Sequence, residues 1–532
     1  MATTLPPLAM HRLVRLVIAL MWLIIPLGVV VWHNSTTPFG GALAGALSAL
    51  GDSAWLTLLV TLTTSALVLI AALAGAGGKH LNATWASFIA VPHVAFAIGL
   101  LWLISPSGWL VRVVDALLPM WQGPIQSSWL SVKSTFTLMV VLILKELPFL
   151  LLMAQANAQH MPIQRWQQQA QALGYSRRRF WWLIVVPALL KRIRLPLYII
   201  AIYTVSVVDI PLLVGPNAPA LLAHEVYQLN WQFTDDTQAL VSWGSLFLVV
   251  IAVVSVLLLR GLEWVLQRWL GYLALTGKRV RAAKSSVKRM TTPWFWVLLA
   301  MSVFISLLLQ SGQQSWFYPS LWPQGWQWSR WLTEWPYIAP LLYNTWILAA
   351  LSATLAWLSA IALLEVQAQG QQHQLHGGWL AMLMIPQLVL VLGWQQTIGP
   401  DNGFIGLLWS HTVFCFPYAY LTLHGAYHAY PRRWLWQARS LGYGPWAAWF
   451  KVLVPMLKRP LALAWAMAFS ISVAQYLPTQ WLAPVTHPTL TTEAVSIASG
   501  GDWRLGSVYA LAQWASVWIV FMLALWGTRA RN

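Results

Sequence analysis

The sequence has 532 residues, of which 59% are hydrophobic and only 8% are charged. A soluble domain carries about 25% charged residues, so these residues cannot form a water-facing shell around a chain of this size. Runs of about 20 apolar residues, the length that crosses a bilayer, recur along the chain. The composition predicts an all-α, polytopic membrane protein and largely excludes soluble enzymes, nucleic-acid-binding proteins and disulfide scaffolds.

Runs of low charge predict twelve membrane spans, arranged as two halves of six. An even number of spans places both termini on the same side of the membrane. The predicted spans cover approximately residues 13–32, 54–76, 84–104, 131–154, 195–214, 240–260, 294–311, 339–364, 379–398, 405–427, 461–480 and 508–527.

The distribution of basic residues predicts the orientation. With both termini inside, 26 of the 31 Lys and Arg residues fall on the cytoplasmic side. Arg112, Arg330 and Arg504 fall outside, and Lys133 and Lys145 fall within the fourth span. Lys and Arg collect in cytoplasmic loops of membrane proteins. This pattern predicts cytoplasmic termini and explains the net charge of +18 without a nucleic-acid partner.

Two units of similar size are predicted, a first unit over residues 1–262 and a second over 294–532, joined by a basic cytoplasmic linker at 263–293. Each unit has a long basic loop between its fourth and fifth spans. These loops cover residues 155–194 and 428–460.

A tryptophan-rich segment follows the seventh span on the predicted outer side. Trp favours the membrane–water interface, which predicts an interfacial belt or a short helix lying on the outer surface. A ligand-stacking cluster is the less favoured alternative. The segment holds Trp316, Trp322, Trp326, Trp328, Trp331 and Trp335.

The two basic loops contain an internal repeat. Residues 169–187 read QAQALGYSRRRFWWLIVVP and residues 437–455 read QARSLGYGPWAAWFKVLVP, with eight of nineteen positions identical at an offset of 268. Outside the loops, the stretch from Ser206 to Asp209 aligns with Ser472 to Gln475, which pairs Asp209 with Gln475. The two halves are therefore expected to be parallel copies of one unit.

Each loop predicts a short helix, a turn and a second short helix. Good helix formers precede Gly174 and Gly442, and these glycines can adopt positive φ and end a helix. Pro187 and Pro455 then mark a break. Two such elements in one chain favour docking to a two-fold-symmetric cytoplasmic partner. The alternative is an amphipathic helix on the inner leaflet, with Arg177–Arg179 on lipid phosphates.

These loops resemble the EAA motif of permease subunits in binding-protein-dependent ABC importers. That pattern is Glu-Ala-Ala, three residues, Gly, nine residues and Ile-x-Leu-Pro. Both loops keep the thirteen-residue spacing from Gly to Pro. The triplets read Gln168-Gln169-Ala170 and Trp436-Gln437-Ala438, so the Glu is absent and only the last Ala is kept. Two fused units are similar to the thiamine and ferric-iron permeases.

The resemblance implies a type I ABC importer permease fold in the bacterial inner membrane. The loops would couple to a separate cytoplasmic ATPase dimer, and an extracytoplasmic binding protein would deliver the substrate. The chain itself would be no enzyme and would need no cofactor. The residues assigned to coupling are Gln168, Ala170, Gly174, Tyr175 and Pro187 in the first loop, and Gln437, Ala438, Gly442, Tyr443 and Pro455 in the second.

Ionisable residues inside spans are functional candidates because burying a charge in a membrane is costly. Glu146 is expected to meet Lys133 or a residue of another helix. The resemblance implies that Asp209 and Gln475 line the translocation path and contact a polar or cationic substrate. The alternative is that Asp209 caps a helix end or forms a structural pair.

The twelve histidines show no metal-ligand spacing. His373 and His376 are expected in a solvated loop. His424 and His428 are expected to be satisfied interface histidines.

Two other functions are weighed. The sequence has no Gly-x4-Gly-Lys-[Ser/Thr] pattern, so any ATPase must be a separate subunit. An ion-gradient-driven secondary transporter would have buried acidic residues and no duplicated docking loop. A membrane-embedded enzyme, such as a lipid-linked transferase, would require clustered carboxylates or histidines at one membrane face.

Overall fold

A computed structural model describes residues 39–76, 91–118, 124–125, 127, 130–159, 161–276, 292–369, 381–398 and 403–528. The predicted first span lies outside these residues, as do residues 277–291 of the predicted linker. Among the described residues, eight segments are long and apolar enough to cross a membrane, or nine if one bent helix pair counts as a span. The prediction of an α-helical, polytopic membrane protein is confirmed.

The helices of the two halves follow the same order. In the first half they are α1 (Phe39–Gly75), α2 (His93–Ile104), α3 (Trp109–Leu117), α4 (Thr135–Gln159), α5 (Ile163–Ala172), α6 (Arg177–Phe180), a π-helical turn (Trp181–Val185), α7 (Val186–Arg192), α8 (Arg194–Ser206), α9 (Asp209–Leu213), α10 (Leu222–Leu229) and α11 (Asp235–Leu275). The second half has α12 (Thr292–Gly312), β1 (Gln313–Ser315), β2 (Gly325–Trp326), α13 (Arg330–Gln369), a 3-10 turn (Ala381–Met384), α14 (Gln387–Ile398), α15 (Gly403–Ala429), α16 (Arg433–Ser440), α17 (Pro445–Ala448), a π-helical turn (Trp449–Leu453), α18 (Val454–Met456), α19 (Lys458–Ala474), α20 (Leu477–Leu482), α21 (Leu490–Ser499) and α22 (Trp503–Gly527).

Helix packing repeats with this order. In the first half α1 packs against α4, α8 and α11, and in the second half α13 packs against α15, α19 and α22. In each half, a buried threonine of α1 or α13 forms a hydrogen bond with the first residue of a later helix. Thr57 Oγ1 accepts the Leu222 N–H at 2.8 Å, and Thr345 Oγ1 accepts the Leu490 N–H at 3.0 Å. Both contacts satisfy a free N–H at the start of a helix.

Two predicted spans are broken helices. The fifth span splits into α8 and α9 at Val207, and the eleventh splits into α19 and α20 at Gln475. Both break residues have extended backbone, with φ, ψ of −66°, 133° and −69°, 121°. The break in the first half falls within an apolar run that composition cannot distinguish from a continuous span.

These breaks correct the predicted pairing of Asp209 with Gln475. Val207 and Gln475 occupy the same place in the two halves, and Asp209 instead matches Leu477 as the first residue of the following helix. The offset of 268 that aligns the loops therefore persists through the breaks. The sequence match of residues 206–209 with residues 472–475 has an offset of 266. It therefore does not pair residues that occupy the same place in the two halves.

The two halves interlock. The second helix of the first half, α2, packs against α12 and α22, and α14 of the second half contacts α11. Ser306 Oγ donates to the Gly99 carbonyl at 2.7 Å, and a Cβ at Gly99 would lie 2.8 Å from Val303. Gly99 therefore permits close approach of the two helices. Helix α11 also runs unbroken through residue 263, where the linker was predicted to begin.

The tryptophan-rich segment is a loop with a two-stranded antiparallel hairpin, β1–β2, so the expected short surface helix is wrong for residues 313–329. Pro319 and Pro323 in this segment limit the backbone hydrogen bonds that a helix needs. Trp326 and Trp328 stack with ring centroids 5.5 Å apart, and both are exposed.

The three arginines predicted outside lie at one end of the bundle. Each donates to backbone carbonyls in or next to the hairpin segment. Arg112 binds the carbonyls of Phe317 and Ser320, Arg330 those of Ser311 and Gln313, and Arg504 that of Gln314.

Candidate functional site

The first basic loop ends its leading helix with a glycine turn. Gly174 has φ of +83° after α5. Its N–H donates to the Gln171 carbonyl, and the Tyr175 N–H donates to the Ala170 carbonyl, both at 2.9 Å. This pair of bonds is the Schellman arrangement, which needs a left-handed residue that glycine adopts without strain.

The second loop has the same turn. Gly442 has φ of +89°, the Gly442 N–H donates to the Arg439 carbonyl at 3.0 Å, and the Tyr443 N–H donates to the Ala438 carbonyl at 3.1 Å. The prediction that both glycines end a helix with positive φ is confirmed.

The prolines do not break the chain where expected. Pro187 and Pro455 each lie second in a helix, directly after a π-helical turn. The backbone before each proline is already right-handed helical, with φ, ψ of −74°, −49° at Val185 and −68°, −50° at Leu453. Each proline therefore lies inside a continuous helical run, directly after the π-helical turn has changed the hydrogen-bond pattern. The chain instead bends at Ile193 and Leu457, whose φ, ψ of −100°, 9° and −98°, 10° nearly coincide.

Four of the five predicted pairs of coupling residues match at the offset of 268, whereas Gln168 matches Trp436 and not Gln437. Ala170 and Ala438 are buried in the loop interior, whereas Gln168 and Gln437 are exposed. Apolar side chains are exposed at the turns, with Leu173 58% and Leu441 79% accessible. Each loop thus presents a rigid turn with an uncovered leucine.

Two carboxylates that sequence analysis did not single out hold the loops against the bundle. Glu263 of α11 accepts hydrogen bonds from Arg194 at 2.8 Å and from Arg260 at 2.7 Å. Glu365 of α13 accepts from Arg432 at 2.7 Å and from the Tyr427 hydroxyl. In each half, the sequence signal that could have identified this carboxylate was a single Glu near the end of an apolar helix.

The broken spans meet at a central cavity of about 190 Å³ between the halves. Asp209 and Gln475 both line it, and Gln387 Nε2 donates to Gln475 Oε1 at 2.5 Å. Further lining side chains include His93, Lys145, Glu146, Tyr203, Ser206, Phe414, Tyr418, Ser470 and Tyr476.

The ionisable residues of α4 face this cavity. Glu146 Oε1 lies 3.6 Å from His93 Nε2 of α2. Glu146 was expected to meet either Lys133 or a residue of another helix, and the second expectation is the one that agrees with this contact. Lys133 instead donates to the Leu212 carbonyl at 3.1 Å. Lys145 Nζ donates to the Val91 carbonyl at 2.5 Å.

A wider cavity of about 950 Å³ opens at the arginine-bearing end, between α2, the hairpin segment and the start of α22.

Among the described residues, no three His, Cys, Asp or Glu side chains are placed to hold a metal ion. His424 and His428 meet edge to face, with ring centroids 4.5 Å apart. His373 and His376 lie outside the described residues.

Comparison with known proteins identifies relatives among transport permeases. The chain is 26% identical over 461 residues to the inner membrane ABC transporter permease protein YnjC of Escherichia coli K12, a match that covers 86% of this chain and 83% of YnjC. It is 27% identical over 180 residues to the spermidine/putrescine transport system permease protein PotC of Haemophilus influenzae, covering 33% of this chain and 68% of PotC.

PotC of Escherichia coli K12 matches at 24% identity over 161 residues. No family model matches the chain. One relative therefore spans both halves, and the PotC matches cover about one unit. The chain is a multi-pass membrane protein related over most of its length to permease subunits of ABC transporters.

Proposed function

We propose that this chain is the permease subunit of an ABC importer in a bacterial inner membrane. The central cavity forms part of the substrate path, and the two loops dock on a separate ATPase dimer. One observation carries the proposal: the two loops share a Schellman turn and a π-helical turn at an offset of 268. A partner that binds both is expected to be two-fold symmetric.

The exposed loop surfaces support docking. Leu441 and Trp446 are more than three-quarters exposed, and Trp436 and Phe450 are also exposed. Exposed apolar groups that cluster on a rigid turn mark an interaction site more often than a solvated surface. The ATPase would cover these groups.

A single helix joins each loop to the cavity. Helix α8 begins two residues after α7 and ends at Ser206, and α19 begins two residues after α18 and ends at Ala474. Both Ser206 and Ala474 line the cavity. A helix of 13 residues such as α8 is about 20 Å long and moves as one body. Displacement of a loop is therefore transmitted to the cavity wall.

The mechanism that follows is alternating access. An extracytoplasmic binding protein delivers substrate at the arginine-bearing end, with both termini and both loops on the cytoplasmic side. ATP binding closes the ATPase dimer, and ATP hydrolysis resets it. ATP shifts the permease only because the closed dimer favours one arrangement of the loops.

The cavity carboxylates favour one rival, a secondary transporter driven by an ion gradient. That rival needs no partner at the loops, so a binding experiment separates the two hypotheses.

The test is a mild-detergent purification of the tagged chain, with mass spectrometry of the proteins that copurify. The proposal expects a stoichiometric ATPase subunit, lost when both Leu173 and Leu441 are changed to Asp. The Trp326→Ser and Trp328→Ser variants at the opposite end are the control and should keep the ATPase. A chain that purifies alone and transports on an ion gradient without ATP would overturn the proposal.

A further inference from the structure

We infer that the central cavity is selective for organic cations, which are small solutes with an ammonium or similar group that donates hydrogen bonds. This inference rests on the proposed function, because it assigns a substrate class to the proposed path. It depends on four ionisable groups, His93, Lys145, Glu146 and Asp209, all of which belong to the first half.

Glu146 is buried without a hydrogen-bond partner among the described residues. It is 7% exposed, and its nearest recorded partner is His93 Nε2 at 3.6 Å, beyond hydrogen-bond distance. A carboxylate in a membrane span is costly unless it is paired. A cationic group in the cavity would supply the missing partner.

The cavity lining holds more carboxylates than ammonium groups. Lys145 is engaged by the Val91 carbonyl and lies 5.8 Å from the Phe96 ring centroid. Glu146 and Asp209 supply two carboxylates, whereas Lys145 supplies one ammonium group. Helices α8 and α19 end at the cavity and offset α2 and α14, which begin there. Helices α9 and α20 also begin there, but they have only five and six residues. The side chains therefore decide the sign of the potential.

Aromatic and neutral polar groups complete the site. The Tyr203 hydroxyl is buried and has no hydrogen-bond partner among the described residues. Tyr418 and Tyr476 line the second-half side, and aromatic faces attract cations. Gln387 and Gln475 add amide groups that can accept N–H donors.

An anionic solute fits poorly. None of the described residues that line the cavity is an arginine, the side chain best suited to bind carboxylate or phosphate groups. A sulfate or phosphate group would instead face Glu146 and Asp209.

Charged thiol reagents test the inference without knowledge of the natural substrate. Cys415 is changed to Ala, and Ala474→Cys introduces a thiol on the cavity wall. The purified chain in nanodiscs is treated with aminoethyl or sulfonato-ethyl methanethiosulfonate, and both reaction rates are measured. Val485→Cys, at a position that is 87% exposed, corrects for the intrinsic reactivity of the reagents.

The corrected preference of the cavity thiol for the cationic reagent should be about tenfold, within the range by which charged clefts concentrate counter-ions. Glu146→Gln and Asp209→Asn should each lower this preference severalfold, and Lys145→Gln should raise it. Glu334→Gln, which changes a carboxylate bonded to Tyr509 away from the cavity, should leave it unchanged.

Each other outcome has a distinct meaning. Equal rates, or a preference that neither Glu146→Gln nor Asp209→Asn changes, would overturn cation selectivity and leave the path in place. If neither reagent reaches the thiol at 474 while the thiol at 485 reacts, the cavity is not on a path, and both proposals for it fail. Using two carboxylate variants keeps the test valid if one of them does not fold.

Discussion

The two cytoplasmic loops share a backbone but differ in how side chains fasten them to the bundle. In the first half, Glu263 of the last helix binds Arg194, and Trp181 Nε1 donates to the Leu73 carbonyl at 3.0 Å. In the second half, Glu365 of α13 binds Arg432 instead. Local sequence therefore dictates the loop turns, whereas tertiary contacts that hold the loops have diverged.

The loops also differ in where they bend. Helix α7 has seven residues and α18 has three, so the bend falls about one turn earlier in the second half. Helix α19 is correspondingly longer than α8, with 17 residues against 13. The distance in sequence from loop to cavity is thus the same, but it is divided differently between the short helix and the long one.

Removing the glycine turns should have the largest effect on both loops. Gly174→Val and Gly442→Val force a β-branched residue into left-handed backbone, which costs about 1–2 kcal/mol or more. A strain of that size shifts an equilibrium about 5- to 30-fold. We expect faster proteolysis of the altered loop and loss of ATPase stimulation by the binding protein in the reconstituted complex.

Asn is the matched control at both positions, because it tolerates left-handed backbone. Gly174→Asn and Gly442→Asn should preserve both readouts. Normal stimulation in the double Val variant would show that the turns are not needed for coupling.

Neutralising the anchor carboxylates should affect coupling less than the glycine changes do, because it leaves both turns intact, and the two halves should differ in stability. Glu263 is 5% exposed and Glu365 is 23% exposed. The arginine partners can rehydrate in part, so we expect each Glu→Gln change to cost about 1–3 kcal/mol, with Glu263 the larger. The loss of stability is measured as a fall in the apparent melting temperature of each variant in detergent.

Asp236→Asn, at an exposed position near the start of α11, serves as the control and should leave melting unchanged. Adding Arg432→Gln to Glu365→Gln should cost less than the sum of the single changes if the pair acts as a unit. Additive effects would contradict the anchoring role.

The smallest effect is expected for the tryptophan contacts. Phe keeps an aromatic ring but removes the indole N–H donor, which costs about 0.5–1.5 kcal/mol, and its smaller ring adds a packing loss in both variants. Trp181→Phe should destabilise more than Trp449→Phe, because Trp449 Nε1 lies 3.4 Å from the Tyr427 hydroxyl, longer than the 3.0 Å bond of Trp181. Melting of the two variants side by side decides the order, and a larger loss for Trp449→Phe would contradict it.

Sequence analysis predicted the features that depend on local residues. Apolar runs predicted the polytopic helical class, and Gly174 and Gly442 predicted the helix ends. It could not place the breaks at Val207 and Gln475, because apolar composition is the same in a broken and a continuous span. The backbone of the structure was needed to show that Gln475 and Val207 occupy the same place in the two halves.

The candidate site was only partly predictable. Asp209 and Gln475 were predicted to line the translocation path, and both line the central cavity. His93 was not identified, because its position at the start of α2 gains meaning only when Glu146 is seen 3.6 Å away. Glu263 and Glu365 were missed for the same reason, since their arginine partners are 69 and 67 residues distant in sequence.

The interlocking of the halves has a consequence for biosynthesis. Helix α2 is made early, yet it packs against α12 and α22, the latter the last helix of the described chain. The ribosome therefore releases the first half with one side of α2, including the cleft at Gly99, still uncovered. Nascent chains often complete their domains in order from the N-terminus, but here the early half must await the late one. Because both halves belong to one polypeptide, each copy of α2 is made together with one copy of α12 and of α22, the helices that cover it.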